Sequence, residues 1–246
     1  GLSRSDVYKM KIPSVPVKIQ EKIVREIEMI EQKENKGLER IKELEQAIKT
    51  DFQKGISNAK RVKIDKVCTS QSGGTPSRKV EEYWDKGTIN WLRSEVCQNC
   101  FVYEDAVNEK ITELGLEKSS AKLFSKDTVL IALVGTTIGK VAYLTFEATT
   151  NQNIAGLYPK NEKELLSKFL YYALINDFDK NFGDRKGKFT MANMTMIRNL
   201  EIPLPSIEEQ KKLITAIDKK EAEINKLKES LSNIQEEKEE VLRKYL

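Results

Sequence analysis

Apolar residues recur on a heptad frame at both ends of the chain. Toward the C-terminus Leu213, Ile217, Ile224, Leu227, Leu231, Ile234 and Val241 keep a 4-3 spacing, with Lys220 and Lys238 in two of its slots. Toward the N-terminus Ile23, Ile27, Ile30, Ile41, Leu44 and Ile48 occupy the same frame, interrupted at Glu34 and Gly37. A spacing averaging 3.5 residues sustained over about four heptads is the coiled-coil signature. It predicts two helices of about 38 residues, each roughly 57 Å long at 1.5 Å per residue. Between them the pattern shortens. TVLIALVG (128–135) and KVAYLTF (140–146) read as strands, joined by a turn or short loop at GTTIGK (135–140), and ELLSKFLYYALINDFDKNF (164–182) returns to helical periodicity. The fold class this predicts is α+β: a mixed globular domain carried between two long helices that form an antiparallel coiled coil.

The two helical ends repeat one another. MKIPSVPVKIQEKIVREIE (10–28) aligns with LEIPLPSIEEQKKLITAID (200–218) at an offset of 190, and residues 12–45 match 202–235 at nine identical positions, Ile12, Pro13 and Gln20 among them. Unrelated segments of ordinary composition would share about two or three. Ser206 and Glu209 form a capping box ahead of the second helix, a start signal the first copy lacks. Two such helices bracketing an insert pair most simply with each other; the alternative is two separate amphipathic helices docked on the globule. The similarity also runs upstream of the prolines, where Val7 and Met10 align with Ile197 and Leu200. The expectation is therefore that residues 1–16 are the tail of a preceding, absent globular domain with its proline motif. Residues 17–56 are the first helix, 57–200 the globular domain and 201–246 the second proline motif and helix.

Composition narrows the class. Charged residues make up 33% of the chain and hydrophobic ones 39%, a balance that suits extended exposed helix. No apolar run reaches the roughly 18 residues of a membrane span and no secretory signal is legible, so the expected setting is the cytoplasm, without membrane contact. The net charge of +4 is unevenly placed: residues 60–200 hold 21 Lys+Arg against 17 Asp+Glu, while the flanks hold 21 of each. A positive excess confined to the globular part is compatible with a polyanionic partner.

The chemistry of catalysis is hard to find. Histidine is absent altogether, which removes the commonest general base and every triad built on it. Cys68, Cys97 and Cys100 are too few for a four-ligand zinc site without carboxylates or a second chain, and read as reduced structural thiols. GTTIGK is no phosphate loop: three residues, not four, separate Gly135 from Gly139, and Val141 follows Lys140. No catalytic residue and no metal site is assigned. What remains suits a reader of DNA. SGGTPSRKVEEYWDKGTINWLRSE (72–95), TTNQNIAG (149–156) and GDRKGKFT (183–190) concentrate Arg, Lys, Asn, Gln and Gly, although each also fits an ordinary solvated loop. Arginine matches guanine O6/N7, amide side chains match adenine N6/N7, and lysines with hydroxyls hold phosphates. Trp84 and Trp91 read as core residues before base-stacking ones.

In their order, GGTP with a downstream INWLRS, then GTTIGK, NQNIAGLYP, and MIRNLEIPLPSIEEQKKLI opening a long helix, resemble the specificity subunit of type I restriction-modification enzymes over essentially the whole chain. In that family two target recognition domains each read one half of a split DNA site, and two conserved helices form the spacer between them. The resemblance implies that this chain is itself non-catalytic and binds no cofactor; S-adenosylmethionine, ATP and Mg would sit on partner subunits. Expected partners are double-stranded DNA, methyltransferase (modification) subunits, and through the complex a restriction/translocase subunit. Because only one recognition domain stands between the two helices, a second copy or a second recognition domain joins that set. Assigned by chemistry and loop position, the candidate DNA contacts are Thr75, Arg78, Lys79, Arg93, Ser94, Thr136, Thr137, Lys140, Asn151, Gln152, Asn153, Arg185, Lys186 and Lys188. The rival readings are a structural coiled-coil adaptor whose globular head binds protein, and a self-contained nuclease or methyltransferase.

Overall fold

The computed structural model describes residues 15–182 and 191–245. The tail that the repeat places before the first helix, and the loop 183–190 with Arg185, Lys186 and Lys188, lie outside the described residues. The N-terminal seam forms one helix, α1 (Val17–Ile56). The Pro16 carbonyl accepts the first helical hydrogen bonds from Ile19 and Gln20, at 2.8 and 3.1 Å. The globular part then runs through β1 (Arg61–Lys63), the short helix α2 (Ile64–Val67), β2 (Cys68–Ser72), β3 (Ile89–Leu92), β4 (Cys100–Val102) and β5 (Glu109–Ile111). It continues with α3 (Glu113–Glu117), β6 (Leu123–Phe124), β7 (Val129–Ala132), β8 (Val141–Leu144), β9 (Ala148–Thr150) and β10 (Ile154–Pro159). The helices α4 (Ser167–Asn176), α5 (Phe178–Phe182) and α6 (Met194–Asn199), then β11 (Glu201–Pro203), lead to α7 (Ile207–Ser232) and α8 (Ile234–Tyr245).

The strands form two sheets and a pair: β2-β10-β7-β8-β4, β5-β3-β9-β6, and β1-β11. The two apolar runs read from the sequence become β7 and β8, antiparallel with Leu130 opposite Ala142 and buried along their whole length. Such continuous burial explains why they lack the alternation of a half-exposed strand. GTTIGK is the turn between them, and Gly135 (φ +75°) and Gly139 (φ +77°) occupy left-handed conformations that a side chain would oppose. The core between the sheets gathers Leu92, Phe124, Leu130, Leu144 and Ile154. On α4 Phe169, Leu170, Tyr171, Tyr172, Ala173 and Leu174 are all buried, so this helix is enclosed on every side.

Two compact units result, one of residues Lys49–Ala216 and the other from the helices beyond them. The first therefore takes in more than the β-rich stretch. Phe52, near the end of α1, packs on Phe169 and Tyr172 with ring centroids 5.4 and 6.3 Å away. The proline motif contributes β11, paired antiparallel to β1 with Val62 opposite Ile202. Gln210 is fully buried: its Oε1 accepts from the Leu166 amide at 2.9 Å, and its Nε2 donates to the Glu164 and Pro205 carbonyls at 2.8 and 3.0 Å. Arg61 forms an ion pair with Asp177 and also donates to the Glu201 carbonyl, tying the β1-β11 pair to the end of α4.

In the second unit the helices run antiparallel, as the order of their contacts requires. Glu26 meets Lys244, Lys33 meets Glu237, Glu34 meets Lys238 and Arg40 meets Glu223, at 3.0, 2.7, 2.9 and 2.8 Å. Ile41, Leu44 and Ile48 pack with Ile224, Leu227 and Leu231. Ile23, Ile27 and Ile30 are half-buried, and Ile217, Ile234 and Val241 are buried. Two of the seam interruptions are met by the facing helix. Glu34 receives Lys238, and Leu231 lies against Gly37, where an added Cβ would come within 3.0 Å of its Cδ2.

The second helix is not continuous. The capping box forms as predicted, with Glu209 Oε2 accepting from the Ser206 amide and hydroxyl at 2.9 and 2.7 Å. The helix then breaks at Asn233, between α7 and α8. There the Ser232 hydroxyl donates to the Glu229 carbonyl at 2.7 Å, a local side-chain bond that competes with the helical ladder. Among the described residues no helix is long and apolar enough to cross a membrane.

Candidate nucleic-acid interface

The amide-rich turn 151–153 lies where the chain passes from β9 in one sheet to β10 in the other. Its backbone is held by neighbours on every side. The Asn151 amide donates to the Leu92 carbonyl at 2.9 Å, and the Leu133 amide donates to the Asn153 carbonyl at 2.8 Å. The Gly73 and Gly74 amides donate to the Ile154 and Thr150 carbonyls at 3.0 and 2.8 Å, which brings the GGTP loop alongside. Thr75 then reaches across, its hydroxyl donating to Gln152 Oε1 at 2.5 Å. Within the turn the Asn153 amide donates to Asn151 Oδ1 at 3.1 Å. Thr75, Asn151, Gln152 and Asn153 thus form one group, with Gln152 exposed and the other three half-buried.

Beside it stands a second group built on the two tryptophans. Trp91 is buried, with its indole N–H donating to the Gly74 carbonyl at 3.1 Å, and Trp84 packs edge-to-face on it at 5.1 Å. Trp91 is therefore a core residue, as its sequence context suggested. Trp84 is half-buried against the same cluster of Trp91, Ile111 and Ala121, and its ring also carries a cation. The Arg78 guanidinium lies 3.4 Å over the Trp84 ring centroid, and 4.9 Å from that of Trp91. Arg78 Nη2 meets Glu109 Oε2 at 2.5 Å, while Arg93 Nη2 bonds the other carboxylate oxygen, Oε1. Glu109 sits on β5 directly opposite Trp91 of β3. Both arginines thus occupy one site. Neither is an isolated loop cation, since an acid that the sequence reading did not single out holds them together.

The remaining candidates fall into a third place or into the framework. Lys140 donates to Gln98 Oε1 at 2.9 Å, at the end of the β7-β8 turn. Thr136 is exposed on that turn, but Thr137 is buried and its hydroxyl points to the Val134 carbonyl at 3.5 Å. Thr137 shapes the turn and is withdrawn from any surface contact. Ser94 is half-buried, and its carbonyl accepts from the Cys97 amide at 3.1 Å in a 3-10 turn; Lys79 is exposed. Glu109 carries no sequence signal, and the sequence reads Trp84 as core without showing that it stacks under Arg78. An acid between cations becomes visible only when β5 pairs with β3.

The cysteines separate into two kinds. Cys97 and Cys68 are buried, and burial pushes both thiols up, that of Cys68 to about 12; Cys100 is exposed. Among the described residues no three His, Cys, Asp or Glu side chains gather closely enough to hold a metal ion.

Comparison with known proteins gives this geometry a family. The chain is similar to the specificity subunit of the type I restriction enzyme MjaIX of Methanocaldococcus jannaschii, with 31% identity over 159 residues, 63% of this chain and 36% of that protein. To the EcoR124I/EcoR124II specificity subunit of Escherichia coli it is 27% identical over 165 residues, 65% of this chain and 40% of that one. The matches thus span less than half the length of these curated relatives. Among solved structures, the fold resembles the S subunit of the type I restriction-modification system from M. genitalium, with a TM-score of 0.63 and 15% identity over 100% of this chain and 65% of that one. The HsdS subunit from Thermoanaerobacter tengcongensis gives a TM-score of 0.63 and 19% identity over 99% of this chain and 62% of its own. The model of one family, the type I restriction modification DNA specificity domain, matches residues 56–236, which include both sheets, the paired arginines and the amide turn, and the chain belongs to that family.

Proposed function

We propose that this chain is the DNA-reading specificity subunit of a type I restriction-modification complex, with no catalytic group of its own. Its globular unit reads one half of a bipartite site, and its paired helices act as a coiled-coil spacer and as the dock for methyltransferase subunits. Methylation with S-adenosylmethionine, and ATP- and Mg-dependent translocation and cleavage, belong in this reading to partner subunits. The observation that carries the DNA-reading part is the grouping of Arg78, Arg93, Thr75, Asn151, Gln152 and Asn153 at the junction of the two sheets. Guanidinium forks and amides are the side chains that pair bidentately with guanine and adenine in the major groove.

The bipartite part is supported by the repeat. Gln20 donates to the Val15 carbonyl at 2.7 Å, as its twin Gln210 does to that of Pro205. Yet Gln210 is buried under the Leu166–Glu164 backbone, whereas Gln20 is exposed. Val17 and Val24 are 69% and 52% exposed, while their twins Ile207 and Ile214 are half-buried. The start of α1 thus presents the surface on which, at the start of α7, a recognition unit sits. A second such unit, from another copy or another domain, is the occupant this reading assigns to it.

The test is to map methylated positions in the genome of the source organism, then measure binding of the assembled complex to a duplex carrying the mapped site. A split target, bound in preference to a duplex with one half scrambled, is the expected result. Binding indifferent to either half, or no DNA binding at all, would overturn the reading.

A further inference from the structure

Two exposed arginines at a DNA-reading surface would ordinarily be drawn to any phosphate, because that attraction is indifferent to sequence. Here the pair is constrained. Arg78 and Arg93 keep 47% and 56% of their side-chain surface in solvent, yet each directs one Nη2 at Glu109, and each takes a different carboxylate oxygen. One acid therefore sets both the spacing and the orientation of two guanidinium forks. The Trp84 face under Arg78 fixes the plane of the first fork. Arg93 and Glu109 also line a cleft of about 350 Å³ with Glu95 and Asn108, so the Arg93 side of the clamp borders a recess.

We infer that Glu109 is a specificity-determining positioning residue: it holds Arg78 and Arg93 in base-reading geometry and lowers the pull of this surface on the DNA backbone. This inference rests on the DNA-reading function proposed above. Ion pairs this exposed are weak and exchange easily, so the clamp does not lock the arginines away from DNA. A ligand that offers the forks well-placed acceptors, as guanine O6 and N7 do, competes with the carboxylate on geometry. A phosphate approaching the same forks meets the like charge of Glu109, which penalises it wherever the bases do not supply the compensating contacts.

The experiment uses the full chain in its assembled complex and measures affinity for the mapped target and for a scrambled duplex across a salt titration. For Glu109→Gln, which keeps the shape and removes the charge, binding to the scrambled duplex should strengthen. The specificity ratio should fall about tenfold, and the salt slope should steepen by about one phosphate contact. Arg78→Lys keeps the charge and loses the fork, so it should cost about ten- to a hundredfold on the target while leaving the salt slope in place. Glu109→Asp, which retains the charge, should keep the wild-type slope. The inference is overturned if Glu109→Gln leaves ratio and slope unchanged, or weakens both duplexes equally. Should that variant fail to fold, an Arg78→Lys complex with an unaltered specificity ratio would overturn it. A wild-type complex that binds neither duplex would instead remove the underlying DNA-reading function.

Discussion

The same substitution at two repeat-related glutamines should have very different consequences. At Gln210 the side chain is wholly buried and makes three hydrogen bonds, to the Leu166 amide and the Glu164 and Pro205 carbonyls. Gln210→Leu keeps a similar volume but removes all three. At about 1 kcal/mol of net contribution per bond, plus part of the desolvation cost of the abandoned partners, the loss is about 2–4 kcal/mol. With a urea slope of about 2 kcal/mol per molar, the unfolding midpoint should fall by about 1–2 M. Gln20→Leu removes a single exposed bond and should stay within about 0.5 kcal/mol of wild type. The assay is urea unfolding of the full chain followed by tryptophan fluorescence, which reports on the globular unit because Trp84 and Trp91 are the only tryptophans. Equal shifts for both variants would refute the argument, since the repeat alone would then decide the effect. A shift under about 0.5 kcal/mol for Gln210→Leu would show that its three bonds contribute no net stability.

Other perturbations follow the same logic. Asp177→Ala should destabilise the globular unit by about 1–3 kcal/mol, because it removes the buried acid that pairs with the half-buried Arg61 guanidinium and leaves it the Glu201 carbonyl; thermal unfolding checks this, and an unchanged midpoint would contradict it. The buried thiols bear on alkaline stability. Burial raises Cys68 to about 12 and moves Cys97 in the same direction, so their contribution is complete below the ordinary thiol value and is lost as pH rises through the raised values. Between about pH 9 and 11 the wild type should therefore lose more stability than a Cys68→Ala/Cys97→Ala variant, and native chain near pH 8 should yield Cys100 as its one rapidly reacting thiol in a reagent assay. Removing one facing heptad from each helix should shorten the spacer of the recognised site by about three base pairs, since seven residues span roughly 10.5 Å and a base pair about 3.4 Å. A spacer of unchanged length in a methylation map would dismiss the ruler.

What the sequence determined by itself is what depends on near neighbours along the chain. The seam residues from Ile23 to Ile48 and from Leu213 to Val241 follow from a 3.5-residue period, and the Ser206–Glu209 box from two side chains three residues apart. The strands of β7 and β8 follow from short apolar runs with glycines between them. Even Glu34, Gly37 and Lys238, which look like faults in either seam alone, were legible as positions, though which faced which was not. That pairing was decided by the tertiary structure, as were the break at Asn233, the sheet order and the burial of Thr137. The candidate site shows the same division. Arg78, Arg93 and the amides of 151–153 could be nominated by residue type, because guanidinium and amide chemistry is local to the side chain. Glu109 could not, because an acid in a short strand has no meaning until β5 lies against β3 and its two carboxylate oxygens find arginines from two different loops. Periodicity and capping are short-range effects written into adjacent residues, whereas a shared counter-ion is a property of distance, which only folding sets.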